Sequence, residues 1–284
     1  MGEPFVGSEA IAQGVVSRNR LTGYTRLFRD VYVDRDAKVT AALRAKAGWL
    51  WAKRRAVVAG MSAAAMLGSR WVDEAQPVEL LYDNRHRLPG LHIRGDRVEL
   101  DEVEVIGGVP VTSPARTALD LGCWYPIRTS VAAIDDLARA TDVKTLDVEL
   151  LAQRYVGRRG IARAREAVRY LDAGAQSPKE SWLRVLLVQA GLPRPDTQIR
   201  VADEFGRAFA YLDMGWPELK IAVEYDGQQH RTDDRQFSWD IKREERLKLL
   251  GWIVVRVVAG DRPADIVRRV RAAIALRTCR TPRA

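Results

Sequence analysis

Basic and apolar residues alternate through TRLFRDVYV (Thr25–Val33), the period-two pattern of a half-buried strand or a wing-like ribbon. Apolar positions then recur at helical spacing over about residues 38–53 and, in an alanine-rich stretch, over 58–67. PVELLYD and LHIRG read as short strands, and VEVIGGVPVT as a strand broken at its glycines. SPARTALDLG opens a helix, with Ser113 as N-cap and Pro114 at the first helical position. Helix continues over 127–140. The basic stretch 154–172, RYVGRRGIARAREAVRYLD, predicts a helical connector that ends in the small residues of AGAQ. A new helix starts at Ser177-Pro178-Lys179-Glu180, where Ser and Glu stand at capping-box spacing. Trp182, Leu183, Leu186 and Leu187 form its apolar face. Strands at 199–202, 208–213 and 220–226 follow, then a charged helix at 237–250, the strand WIVVRVV and a helix at 264–276. The pattern predicts a mixed α/β protein with an α+β module at 1–158, a basic helical linker at 159–176 and an α-β-β-β-α-β-α domain at 177–284.

Charge adds a candidate partner. Lys and Arg outnumber Asp and Glu by 46 to 37 in 284 residues, a formal charge of +9, which suits a polyanion because bound cations release its counterions. An arginine-rich, GC-rich genome yields the same bias. Cys123 and Cys279 lie far apart with no C-x-x-C spacing, so neither zinc nor a disulfide framework is expected. No signal-peptide pattern and no run of about 18 apolar residues is present. A cytoplasmic protein with no membrane association is expected.

The chemistry concentrates in KIAVEYDGQQH. Ile221 and Val223 mark a strand interior, yet Glu224 and Asp226 stand at its exit. Asp226-Gly227 is a hairpin signal, so a turn is one account. The other is a metal site. Asp213 ends the preceding strand, and the short MGWPEL connection lets the two strands pair. Period-two alternation turns Glu224 and Asp226 to one face. Three converging carboxylates repel one another without a cation, and hard oxygen ligands suit Mg²⁺.

YLDMGWPELKIAVEYDGQQH, followed by DIKREERLKLLGWIVVRVV, resembles the very-short-patch-repair-like branch of the PD-(D/E)XK nuclease superfamily over about 177–258. The resemblance implies a restriction-endonuclease-like fold, with Asp213 and Glu224 as ligands for Mg²⁺ or Mn²⁺. Asp226 stands where the lysine of E-x-K would be. His230 matches a histidine just past the strand and suits proton transfer. Asp240 and Arg243 match a pair on the following helix, which also reads as an exposed ion pair. Glu180 is explained by capping and is a catalytic candidate as well. The implied reaction is phosphodiester hydrolysis in DNA, a nick or cut leaving a 5′-phosphate, in repair or phage defence.

LTGYTRLFRDVYV, VVAGMSAAAMLG and GVPVTSPARTALDLG together resemble the N-terminal regions of AbiEi-type antitoxin and regulator proteins over about 5–140. That likeness implies a winged-helix-like DNA reader with Arg18, Arg20, Arg26 and Arg29 on DNA, and a toxin-antitoxin or repair protein as partner. A solvated basic face accounts equally for those arginines. The absent lysine leaves open a DNA-binding regulator whose nuclease fold is inactive.

Overall fold

The computed structural model describes residues 2–83, 88–227 and 234–278, with the backbone alone over 234–240. The chain divides into two compact units, 1–173 and 174–284.

In the first unit β1 (Phe5–Val6), α1 (Gly7–Ala12), β2 (Tyr24–Phe28) and β3 (Val31–Asp34) come first. The three strands form one sheet in the order β1-β3-β2. The alternating stretch at 25–33 is therefore a hairpin, and Asp30 takes a left-handed backbone at its turn, φ 63°. A six-residue helix and a 3₁₀ turn at Arg18–Gly23 precede this ribbon.

Then follow α2 (Ala41–Trp51), β4 (Val57–Val58), α3 (Gly60–Met66), β5 (Val78–Leu81), β6 (Leu91–Arg94), β7 (Val103–Ile106) and β8 (Val109–Thr112). They build a five-stranded sheet, β6-β5-β4-β8-β7. Ala45, Val58, Val78, Leu80, Val109 and Val111 fill its core. The expected break in VEVIGGVPVT is the β7–β8 turn at Gly107 and Gly108, φ 56° and 80°, a conformation that glycine adopts without strain.

Helices α4 (Pro114–Trp124), α5 (Ile127–Thr141), α6 (Thr145–Ala152) and α7 (Ile161–Arg169) complete the unit. Ser113 caps α4 as expected, its Oγ accepting the Arg116 N–H at 3.4 Å. Helix α6 has no counterpart in the sequence-based expectation.

The expectation of a linker at 159–176 requires correction. Helix α7 packs on α4, α5 and α6, burying Ala164, Ala167 and Val168. At Gly122 of α4 an added Cβ would lie 2.6 Å from the Ala164 Cα, so the two helices meet backbone to backbone. The basic side chains sit on the outer face of a helix whose inner face is small and apolar. The division between the units falls at 173–174 instead.

A buried ionic network supports this layer. The Arg116 Nε donates to Asp120 Oδ1 at 2.9 Å, and its Nη1 donates to Glu102 and, at 2.8 Å, to the Tyr155 hydroxyl. Arg158 reaches Asp120 Oδ1 at 2.7 Å. Arg116 and Asp120 are fully buried and Glu102 nearly so. Burial pushes the Asp120 carboxyl up, while Arg116 and Arg158 pull it down.

The second unit runs α8 (Pro178–Gln189), β9 (Asp196–Ala202), β10 (Ala208–Trp216), β11 (Ile221–Asp226), α9 (Asp234–Leu249), β12 (Ile253–Val258) and α10 (Pro263–Thr278). This is the expected α-β-β-β-α-β-α order. The sheet order is β12-β11-β10-β9, with β11 and β12 parallel and the other neighbours antiparallel. Leu183 and Leu187 of α8 and Ile266 and Val270 of α10 pack on Met214, Val223, Val255 and Val257. Leu247 of α9 packs in a second cluster with Ile199, Leu212 and Ala222. Asp213 sits between Leu212 and Met214, one in each cluster, and its own side chain belongs to neither.

Candidate functional site

The hydrogen-bond ladders beside Asp213 are interrupted on both sides. Between β9 and β10 the register pairs Ile199 with Leu212 and Thr197 with Met214. The intervening pair, Gln198 with Asp213, is missing from that ladder, and Gln198 adopts a left-handed backbone there, φ 50°. Between β10 and β11 the ladder stops at Met214–Val223, one step short of Asp213 and Glu224. Beyond that step the Asp213 Oδ2 accepts the Tyr225 N–H at 2.8 Å, so a carboxylate satisfies a donor beyond the end of the ladder. The sequence spacing thus brings Asp213 and Glu224 to adjacent strands, as expected.

Glu180 joins them. It is buried at the start of α8, and Ser177 Oγ accepts its N–H at 3.2 Å. Its carboxylate reaches one residue further back than the cap. Oε2 accepts the Gln176 N–H at 2.8 Å and the Gln198 Nε2 at 3.4 Å. Gln176 Nε2 in turn donates to Gln198 Oε1 at 2.8 Å. Asp213 feels this neighbourhood, its pKa being pushed up to about 7. Burial is the main cause. The charges of Glu180 and Glu224 add to it, and the Tyr225 N–H and Arg243 oppose it. Three carboxylates therefore share one electrostatic field.

Glu224 has a resident counter-charge. Arg243 of α9 donates from Nη1 to Oε2 at 3.2 Å and from Nη2 to Oε1, a two-pronged grip of the kind that fixes a carboxylate's orientation. Nη2 also donates to the Tyr211 carbonyl at 3.3 Å. Sequence reading pairs Arg243 with Asp240, whose side chain lies outside the described residues; the guanidinium also reaches Glu224 across from α9. Asp226 lies 3.9 Å from Arg256 Nη1, and Arg256 stands opposite Glu224 in the parallel register. Arg256 also donates to Glu244 at 3.3 Å. His230 and the side chain of Asp240 lie outside the described residues.

Gln176, Gln198, Tyr211 and Arg256 are site neighbours that sequence reading missed. A glutamine in a strand carries no periodic signal, and a left-handed backbone at Gln198 is not written in its residue type.

The donor chemistry suits a hard divalent cation. Mg²⁺ takes one or two carboxylates and keeps several waters, which matches Asp213 and Glu224 with Glu180 supplying further negative charge. Among the described residues no three His, Cys, Asp or Glu stand close enough to hold a metal ion. Two carboxylates, Asp213 and Glu224, stand opposite each other on β10 and β11, and Glu224 is held by Arg243.

In the first unit Arg18 and Arg20 lie on the 3₁₀ turn, Arg26 on β2 and Arg29 at the hairpin turn. All four are exposed. Among the described residues no helix is long and apolar enough to cross a membrane.

No protein-family model matches the chain. It is 29% identical over 175 residues to the uncharacterized protein Rv2248 of Mycobacterium tuberculosis strain ATCC 25618 / H37Rv, and equally to the uncharacterized protein MT2308 of strain CDC 1551 / Oshkosh. Each match covers 62% of this chain and 62% of the relative, so the chain spans about three-fifths of the length of these curated relatives. Among solved structures, that of the RV2827C protein from Mycobacterium tuberculosis aligns with a TM-score of 0.37 at 14% identity, covering 71% of this chain and 84% of that one.

Proposed function

We propose that the second unit is a divalent-metal-dependent nuclease that nicks or cuts DNA, with a PD-(D/E)XK-like arrangement of the very-short-patch-repair-like type. The observation that carries this reading is the placement of Asp213 and Glu224 at opposed positions of β10 and β11 where two ladders are interrupted, with Asp213 pushed up to about 7 by burial first and by the charges of Glu180 and Glu224. Asp213 and Glu224 would hold Mg²⁺ or Mn²⁺. When bound, the cation supplies Lewis-acid charge to the scissile phosphate and the attacking water. Arg243 holds Glu224 in a fixed orientation. Asp226, paired with Arg256, supports the strand exit, and His230 is the proposed proton shuttle. The first unit is proposed to bind DNA through Arg18, Arg20, Arg26 and Arg29 in a winged-helix-like manner, within a cytoplasmic repair or phage-defence role that has a protein partner.

The grip of Arg243 on Glu224 favours a second reading, a DNA-binding, antitoxin-type regulator with an inactive nuclease fold. The two diverge on metal. For a nuclease, Mg²⁺ or Mn²⁺ should raise the melting temperature by mass action and convert supercoiled plasmid to nicked or linear product, and chelator should reverse both effects. Asp213→Ala should lose both responses. A plasmid left intact by pure protein, with no thermal shift from either metal, selects the regulator.

DNA binding by the first unit has its own signature. Replacing Arg26 and Arg29 by Ala should weaken DNA binding and lower the salt dependence of affinity by roughly one unit of slope for each phosphate that is no longer neutralised. Wild-type affinity and slope in that variant would make these arginines a solvated face.

A further inference from the structure

The hairpin of β9 and β10 leads away from the carboxylates and carries exposed aromatic and cationic side chains among the described residues. Tyr211, two positions before Asp213, is 57% exposed, and Phe205 at the hairpin tip is 75% exposed. Tyr211 stands directly opposite Arg200 in the register, so the two side chains share a face. Arg200 extends from that position to the tip, where its Nη2 donates to the Gly206 carbonyl at 2.5 Å. Arg207 lies 6.0 Å from the Phe205 ring. At the other end the Tyr211 carbonyl accepts from Arg243, the residue that grips Glu224. Contacts therefore run unbroken from Glu224 through Arg243, Tyr211 and Arg200 to the loop that presents Phe205. Two acidic residues stand at the tip: Asp203 accepts the Phe205 and Arg207 N–H groups and lies 3.7 Å from Arg246, so its charge is already engaged, and Glu204 beside Phe205 is exposed.

We propose that this arm is a binding track for an unpaired nucleic-acid strand leading into the candidate site, with bases stacked on Tyr211 and Phe205 and phosphates met by Arg200 and Arg207. The proposal rests on the nuclease reading for its substrate class and adds the state of the strand. Two features select an unpaired strand. Exposed aromatic rings offer stacking only to bases that are out of a duplex, and such stacking is tolerant of sequence. The flanking residues are arginines, which complement phosphate and stack on bases as well. At about 3.3 Å per strand residue, the arm from Asp213 to the tip reaches roughly 25 Å, which accommodates about four extended nucleotides, the low end of site sizes for this kind of surface.

The test uses the full chain with chelator present, so that binding is read without cutting. Fluorescence anisotropy compares a labelled 12-nucleotide single strand with the same sequence as a duplex. Tyr211→Ala should weaken single-strand binding roughly 5- to 100-fold, the range for losing one stacked base, and change duplex binding less than twofold. Tyr211→Trp should restore or strengthen it. Arg200→Gln should weaken binding and flatten its salt dependence. Circular dichroism checks that each variant is folded. Single-strand affinity unchanged in Tyr211→Ala overturns the proposal. So does an equal loss for both strand forms, which would leave a charge-only surface. Cutting by Asp213→Asn is scored separately: if that variant still cuts while the stacking series behaves as expected, the carboxylate site fails and the track stands.

Discussion

Asp213→Asn should reduce metal-dependent cutting by 10²-fold or more and yet yield a more stable metal-free protein at neutral pH. The first effect follows from removing one of two carboxylates proposed for a cation whose charge is worth several kcal/mol to the reaction, at about 1.4 kcal/mol per tenfold. The second follows from linkage. The Asp213 pKa is raised from 3.8 to about 7 in the folded chain. Below 3.8 both states are protonated and nothing is lost. As pH rises toward 7, the unfolded chain gives up its proton while the folded chain retains it, so stability falls, and above 7 the full cost remains. With a discount for the partial exposure of Asp213, that cost is on the order of 2 kcal/mol. Asparagine carries no such penalty. Urea melts of wild type and variant should therefore coincide near pH 4 and separate by pH 8, with the variant more stable. A variant less stable at pH 8 would show that the carboxylate is already compensated in the folded chain, and the like-charge account of the site would fall with it.

Arg116→Met should destabilise the first unit by about 3–5 kcal/mol, the usual cost of removing one partner from a buried ion network. The lost guanidinium would leave Glu102 without its buried partner and Asp120 with Arg158 alone. Methionine fills much of the vacated space, so the loss reports charge more than volume. Adding Glu102→Gln and Asp120→Asn to Arg116→Met should recover a large part of the stability, because the stranded charges are then gone. A single variant within 1 kcal/mol of wild type in denaturant melts would mean that water reaches the network.

The residues that sequence could place are those whose position depends on local rules. Asp213 and Glu224 meet because a short connection forces two strands to pair, and Ser113 and Ser177 cap helices because their hydroxyls suit that role. What escaped depends on tertiary packing. The stretch 154–172 reads as a basic helical connector because arginine recurs along it, and only the close approach of Ala164 to Gly122 shows that its small residues face inward. The contact of Arg243 with Glu224 joins a helix to a strand nineteen residues earlier, and helix periodicity shows only the neighbour three residues away, Asp240. The gap in the β9–β10 ladder rests on one backbone dihedral angle at Gln198, which no residue pattern encodes.

Gln176 precedes the first helix of the second unit, and it holds two members of the site at once, its N–H on Glu180 and its side-chain amide on Gln198. A chain beginning at the Ser177 cap would retain every carboxylate and the whole helical and sheet layout while losing both of those grips. The helices, strands and carboxylates of the unit thus lie on one side of the Ser177 cap, and a residue that ties two parts of the site together lies on the other. In a gene fusion or a proteolytic product, the point at which the second unit is joined or cut decides whether those two contacts are kept.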